Sequence, residues 1–425
     1  MKVVGLITEY NPFHNGHKYH IEKAKEITGV DYVVVVMSGN FVQRGTPAII
    51  DKYTRTEMAL KIGADMVFEL PVHFACASAE YFAFGAVSLL NQLGFVDSIC
   101  FGSEVGEIRL LEPIAEILSD EPEEYKKILN QYLKSGTSFP AARADALRDY
   151  LTIENTVACT SSSLSELTNK ELEHLLLSSN NILGIEYLKA LKQLNSYMIP
   201  YTIKRKGSAY SDSTLNTDNT AFSSATAIRG ILEQDTAQND TLKLLTSTVP
   251  NEVMDLFKTN YQKNFPLSEN DFSDMLYYKL KTTPLEQLSS YGDISEELAC
   301  RIKNQLSSYE NWRQFALTLK TKQVTLTRIN RCLLHALLEL PKPTKELYFI
   351  RLLGFRKGAS HLLKQVPEDS VPVITKPAHG NTLLSGTGKE VFDKEILCSD
   401  LYNQIVYSKF GTRIASDYQH PLIIL

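Results

Sequence analysis

A chain of 425 residues, 22% charged and 44% hydrophobic, exceeds one hydrophobic core and implies two or three domains. No apolar run reaches the ~20 residues that span a bilayer, and the apolar stretch behind Lys2 reads as a strand rather than a signal peptide. Six cysteines without CxxC spacing argue against a zinc site and a disulfide framework, and for a reducing cytoplasm. The formal net charge of −5 disfavours a nucleic-acid partner on average, but the average conceals an asymmetry near the C-terminus.

In chain order, Lys2–Ile7 is a short apolar strand and His17–Ile27 carries Ile21, Ala24 and Ile27 at helical spacing. Tyr32–Met37 is a continuous β-branched run, the pattern of a strand buried on both faces. Asp51–Ile62 reads as a helix, Met66–Leu70 as a strand, Ser78–Leu93 as a helix and Phe95–Phe101 as a fourth strand. This alternation implies βαβ units and a Rossmann-like parallel sheet, whose ligands bind beyond the carboxyl ends of the strands. From Leu110 to about Asn195 the pattern is helical, Met198–Arg205 is another strand, and Lys206–Asn219 is a polar loop. Ser223–Gly230 opens a further helix with serine or threonine suited to cap it. A mainly helical stretch runs to about 365, and Val371–Thr375 and Pro421–Leu425 suggest strands in a small α+β tail. The expected domains are 1–235, 236–365 and 366–425.

The densest chemistry lies at the first strand-to-helix turn, Ile7-Thr8-Glu9-Tyr10-Asn11-Pro12-Phe13-His14-Asn15-Gly16-His17-Lys18-Tyr19-His20. A helix N-terminus attracts phosphate through free N–H groups and its dipole. His14 and His17, around a glycine that permits close approach, can donate to phosphoryl oxygens as their charge grows. Zinc ligation by His14, His17 and His20 is the bland competitor; neither a cysteine nor a further histidine lies nearby in sequence, so no metal ligand is assigned. His20 reads as structural or as an edge contact.

His14-Asn15-Gly16-His17 resembles the HxGH signature of the nucleotidyltransferase superfamily, and Ser223-Ser224-Ala225-Thr226-Ala227-Ile228-Arg229 resembles its ISSTxIR motif. The longer segments ITEYNPFHNGH, MSGNFVQRGTPA, KYTRTEMAL, GADMVFELP, FGSE, SNNILGIEYLKAL and SSATAIRG are similar to the tRNA(Met) cytidine acetate ligase family. That resemblance implies an ATP-dependent ligase. It activates acetate as acetyl-adenylate and acetylates the exocyclic amine of the wobble cytidine of elongator tRNA(Met), forming N4-acetylcytidine. It implies His14, His17 and Arg229 as catalytic residues. ATP would be bound by Ile7–His20, Gly102, Asn180 (or its neighbour Asn181), Arg205, Ser224 and Thr226, with Mg2+ as companion. Gly102 has a plain turn as its alternative reading, the asparagine a helix cap, and Arg205 a solvated charge. Ser38-Gly39-Asn40 and Gln43-Arg44 are expected near an acetate or cytidine pocket.

Residues 301–365 hold thirteen Lys or Arg against three Glu, a net +10 in an otherwise acidic chain. Such a basic helical region suits a phosphate backbone, with Arg351, Arg356 and Lys357 as expected tRNA contacts. Trp312, Tyr348 and Phe355 are interleaved, either to stack on an unpaired base or to pack a core. The alternative is a small-molecule adenylyltransferase, which shares the histidine turn but has no use for the basic half. A non-catalytic RNA-binding protein is a further rival, disfavoured by the intact histidines and arginine.

Overall fold

The computed structural model describes residues 1–157, 164, 167–205, 223–233 and 238–425; the loop expected at 206–219 and Cys159 lie outside these. Its centre is an eight-stranded sheet. Strands β1 (Val3–Thr8) and β2 (Tyr32–Ser38) enter it first, and a small antiparallel pair, β3 (Phe41–Val42) and β4 (Thr46–Pro47), follows outside it. The sheet continues with β5 (Met66–Leu70), β6 (Ser98–Ser103), β7 (Ile199–Lys204), β8 (Ile350–Phe355), β9 (Val373–Ile374) and β10 (Ile423–Ile424).

The order is β10-β8-β5-β2-β1-β6-β7, with β9 also on β8. β5, β2, β1, β6 and β7 are mutually parallel. The strand order reverses at β1 and β6, which opens a crevice at their carboxyl ends. β-branched Val33–Val36 sits buried at the sheet centre, because helices cover both faces. Helices α1 (Asn15–Thr28) and α2 (Lys52–Ile62) follow β1 and the β3–β4 pair. These elements match the sequence reading to within a few residues.

The C-terminal half differs from expectation. Ile350–Phe355, inside the stretch read as helical, is β8, antiparallel to β5, and it carries β9 and β10 on its other edge. The expected boundaries at 235 and 365 therefore do not separate independent cores; the tail completes the N-terminal sheet. A six-residue stretch as short as Ile-Arg-Leu-Leu-Gly-Phe is ambiguous between helix and strand, and its partner β5 lies far away in sequence. The tail also contains a 25-residue helix, Gly386–Phe410, which ends at Gly411 in the left-handed conformation.

The join is an ion cluster. Lys52 Nζ, fully buried, donates to Glu69 Oε1 (2.8 Å) and Oε2 (3.0 Å), Asp417 Oδ2 (2.8 Å) and Ser399 Oγ (2.9 Å). Arg351 Nη1 meets Asp417 at 2.6 Å and Glu69 at 3.3 Å, while its Nη2 donates to the Tyr53 hydroxyl, which donates to Asp417. Arg351 is thus 3% exposed and fully paired, and it cannot serve as the surface phosphate contact expected of it. Two cations against two carboxylates, with their hydrogen bonds made, offset the cost of burying charge. The nearby Glu395 carboxyl accepts from Val72 N and is pushed up to about 8 by burial and by Glu69.

Because removing one member leaves a buried charge unpaired, Lys52→Met should lower the unfolding free energy by about 3–5 kcal/mol. Urea denaturation measures this, and a loss below 1 kcal/mol would show that the cluster does not tie the halves together.

Candidate functional site

The crevice between β1 and β6 is a cavity of about 200 Å³. Its floor is Ile7 and Thr8 of β1 with Glu9, Tyr10 and Asn11 just beyond it, and Phe101 and Gly102 of β6 lie alongside. Tyr10 is buried with φ +46°, a left-handed conformation that costs free energy in a non-glycine residue and turns the chain sharply after Glu9. Asn11 follows, its Oδ1 accepting from Ile49 N.

His14 caps α1, its Nδ1 accepting from Gly16 N (3.0 Å). In return His14 N donates to His17 Nδ1 (3.2 Å), and the two rings stack with centroids 3.8 Å apart. Each Nδ1 accepts a backbone N–H, which places the ring proton on Nε2. Burial, then Arg205 and Arg229, lower His14 to about 3. Burial, then His14, His20 and Arg205, hold His17 well below the usual histidine range. Both rings are therefore neutral Nε2–H donors near pH 7, beside a helix N-terminus that adds partial positive charge. His20 also lines the cavity, lowered to about 4 by burial and Arg205.

The second motif closes over the first. Ser224 caps the helix Ala225–Leu232, its Oγ accepting from Ala227 N (3.1 Å). Arg229 on that helix donates from Nη1 to Asn11 O (2.7 Å) and from Nη2 to Thr226 Oγ1 (3.1 Å). Ser224, Thr226 and Arg229 all line the cavity. Arg205, just after β7, reaches the same cavity, its Nη1 3.5 Å from Asn180 Oδ1. Of the two asparagines, Asn180 lines the cavity, whereas Asn181 is buried. Its Oδ1 accepts from Glu104 N and Val105 N, and its Nδ2 donates to Leu175 O.

Four residues of the first turn stay out of the cavity lining. Pro12 and Phe13 point into the core, and Asn15 donates from Nδ2 to Ser247 O (2.8 Å), tying the turn to the helical half. Lys18 faces outward near Glu22. Of the segment expected to bind ATP, these four are the residues that do not line the cavity. Gly16 and Tyr19 do line it. Apolar Phe82, Leu183 and Tyr187 form a wall that the sequence reading did not include, since nothing local distinguishes them from core residues.

Another omission is Arg55 in α2. It is fully buried, with Nε donating to Ile50 O (2.9 Å), Nη1 to Glu9 O (2.7 Å) and Ser38 O (3.0 Å), and Nη2 to Gly39 O. Of the loop after β2, Gln43 lines the cavity, Asn40 is buried and accepts from Lys52 N, and Gly39 packs against Glu69.

On the basic half, Arg313, Arg331 and Lys345 are ion-paired, and Trp312 is buried with Nε1 donating to Asn330. Trp312 therefore belongs to the core and is no stacking platform. Arg356 is half-buried and donates from Nε to Leu60 O, while Lys357, Lys364, Lys320 and Lys322 are exposed.

A Cβ at Gly102 would lie 3.4 Å from Arg205 Cγ, so the protein itself has room for a methyl there. Gly102→Ala should keep its melting temperature within about 2 °C and raise KM for ATP about tenfold or more; an unchanged KM would make Gly102 a plain turn residue. Because both imidazoles are already neutral, kcat/KM for ATP should show no rise as pH drops through 6.5. The unfolded chain binds protons there that the folded chain does not, so stability should fall as pH drops through 6.5. A kcat/KM profile that rises toward acid would mean that an imidazolium acts instead.

Residues 1–417 match the family HIGH Nucleotidyl Transferase. The tRNA(Met) cytidine acetate ligase of Thermoanaerobacter sp. (strain X514) is 41% identical over 433 aligned positions, covering 100% of both chains. That of Acetivibrio thermocellus is 39% identical, again over 100% of both. The crystal structure of apo Thermotoga maritima TmcAL matches with TM-score 0.90 at 32% identity and full coverage of both chains. The same protein bound with alpha-thio ATP matches at 0.86. Matched end to end by these relatives and sharing their fold, the chain belongs to the tRNA(Met) cytidine acetate ligase family.

Proposed function

We propose that this chain uses ATP to activate acetate and acetylates the exocyclic amine of the wobble cytidine of elongator tRNA(Met), yielding N4-acetylcytidine in the cytoplasm. The observation that carries this reading is the convergence of the His14–His17 pair, the α1 N-terminus and Arg229 on one cleft. Acetate attacks the α-phosphorus, and pyrophosphate departs. His14 and His17 donate from Nε2 to oxygens whose charge grows in that step. Such preorganised donors need no reorientation during reaction. Arg229, Arg205, Ser224 and Thr226 hold the departing phosphates, the guanidiniums as planar forks of charged donors. Asn180 and Gly102 flank the nucleoside.

Acetate must be activated because the amine lone pair of cytidine is delocalised into its ring. Mg2+ accompanies the triphosphate, the usual way in which this ion is carried. Among the described residues no group of three His, Cys, Asp or Glu is arranged to hold a metal, and no step is assigned to the ion. Exposed Lys357 and Lys364, with half-buried Arg356, are the proposed contacts for the tRNA backbone. The alternative, an adenylyltransferase of small molecules, leaves the helical half without a purpose, although the family match runs through it.

Labelled ATP with acetate, with and without tRNA(Met), tests the reading: pyrophosphate and acetyl-adenylate should appear without tRNA, and acetylcytidine with it. His17→Ala should slow acetyl-adenylate formation about 10²–10³-fold while tRNA affinity stays within threefold. Retained ligation would remove His17 from the chemistry. Lys357→Glu with Lys364→Glu should weaken tRNA binding and reduce its salt slope by about one per lost contact. An unchanged slope would move the interface elsewhere.

A further inference from the structure

Glu9 is out of place in a triphosphate site. Among the described residues it is the single carboxylate lining a cavity that otherwise presents Arg205, Arg229, Lys204, three neutral imidazoles and a helix N-terminus. Facing phosphate it would only repel, so ATP binding gives no reason for it. Yet it is held at both ends. Gln43 N donates to Oε1 (2.7 Å), the Ser38 hydroxyl lies 3.4 Å from the same oxygen, and buried Arg55 donates to the Glu9 carbonyl (2.7 Å). No hydrogen bond to Oε2 is formed by the described residues. A cleft-lining carboxylate with one oxygen anchored to the scaffold and the other without a hydrogen bond from the described residues suits an amine. Carboxylates accept from the exocyclic N4–H2 of cytosine, the group that must react here.

We propose that Glu9 is the catalytic residue of the second half-reaction: Oε2 accepts an N–H of the target cytidine amine, orients it, and takes its proton. This rests on the ligase reading above. The N4 lone pair attacks the carbonyl carbon of acetyl-adenylate, forming the C–N bond. The bond from that carbon to the phosphate oxygen breaks, and its electron pair leaves with AMP. The nitrogen loses one proton to Glu9, which releases it to solvent after the product departs. The same contact selects for cytidine, because uridine presents an acceptor oxygen where cytidine presents the amine.

The two half-reactions separate this role from its competitors. Full-length Glu9→Gln keeps an oxygen for Gln43 N and Ser38. Acetate-dependent ATP–pyrophosphate exchange without tRNA should fall at least about tenfold less than acetyl transfer does. Single-turnover acetyl transfer to tRNA(Met) should fall at least about 100-fold, with tRNA affinity unchanged. Glu9→Asp, which retains a carboxylate, should recover at least tenfold of that loss, and it carries the test if the glutamine variant does not fold. Exchange and transfer falling together would overturn the proposal in favour of a structural or metal-holding carboxylate, and so would transfer within threefold of wild type. A wild-type enzyme lacking acetate-dependent exchange would overturn the ligase reading as well, and that failure is visible before any variant is made.

Discussion

The site hangs on a buried guanidinium. Arg55 sits under the carboxyl ends of β1 and β2, donating to the carbonyls of Glu9, Ser38, Gly39 and Ile50, with no carboxylate among the described residues hydrogen-bonded to it. Strand ends in a parallel sheet leave carbonyls unpaired where the chain turns away, and unpaired buried carbonyls are costly. One planar fork of donors satisfies four of them at once. With those turns held, Glu9 faces the cleft, Tyr10 can keep its left-handed backbone, and the chain reaches His14 in position to cap α1.

Around this anchor the electrostatics are divided. The imidazoles remain uncharged because the cleft is buried and flanked by Arg205 and Arg229. Positive charge is thus concentrated on groups that keep it at any physiological pH, while the histidines contribute direction. Their mutual cap fixes that direction before substrate arrives, and preorganisation of this kind is where such sites obtain most of their rate. Arg229 is already docked on the Asn11 carbonyl, so the two sequence motifs form one structural unit.

The C-terminal half contributes to the same architecture from the far side of the sheet. β8 extends it next to β5, and the Lys52–Glu69–Arg351–Asp417 cluster binds α2, β5, β8 and the tail into one body. Lys52 opens the helix that carries Arg55, and Glu69 packs against Gly39 in the loop that Arg55 holds. Tail and active cleft are therefore two contacts apart.

Much of this was legible in the chain. Buried β-branched runs alternating with helices predicted the parallel sheet, because a strand covered on both faces has no polar positions. The histidine turn and the Ser223–Arg229 motif stood out because phosphate chemistry needs those residue types at helix starts. What tertiary structure alone decided was which charges are internal. Arg351 and Arg55 look like any surface arginine in sequence, since nothing local states that Asp417 or the Glu9 carbonyl will meet them. Asn180 and Asn181 are adjacent and identical in type, yet the helix turn sends one into the cleft and the other into the core. The strand character of Ile350–Phe355 likewise came from a partner distant in sequence. Local pattern records backbone preference and burial period; pairing across the fold is a property of the assembled sheet.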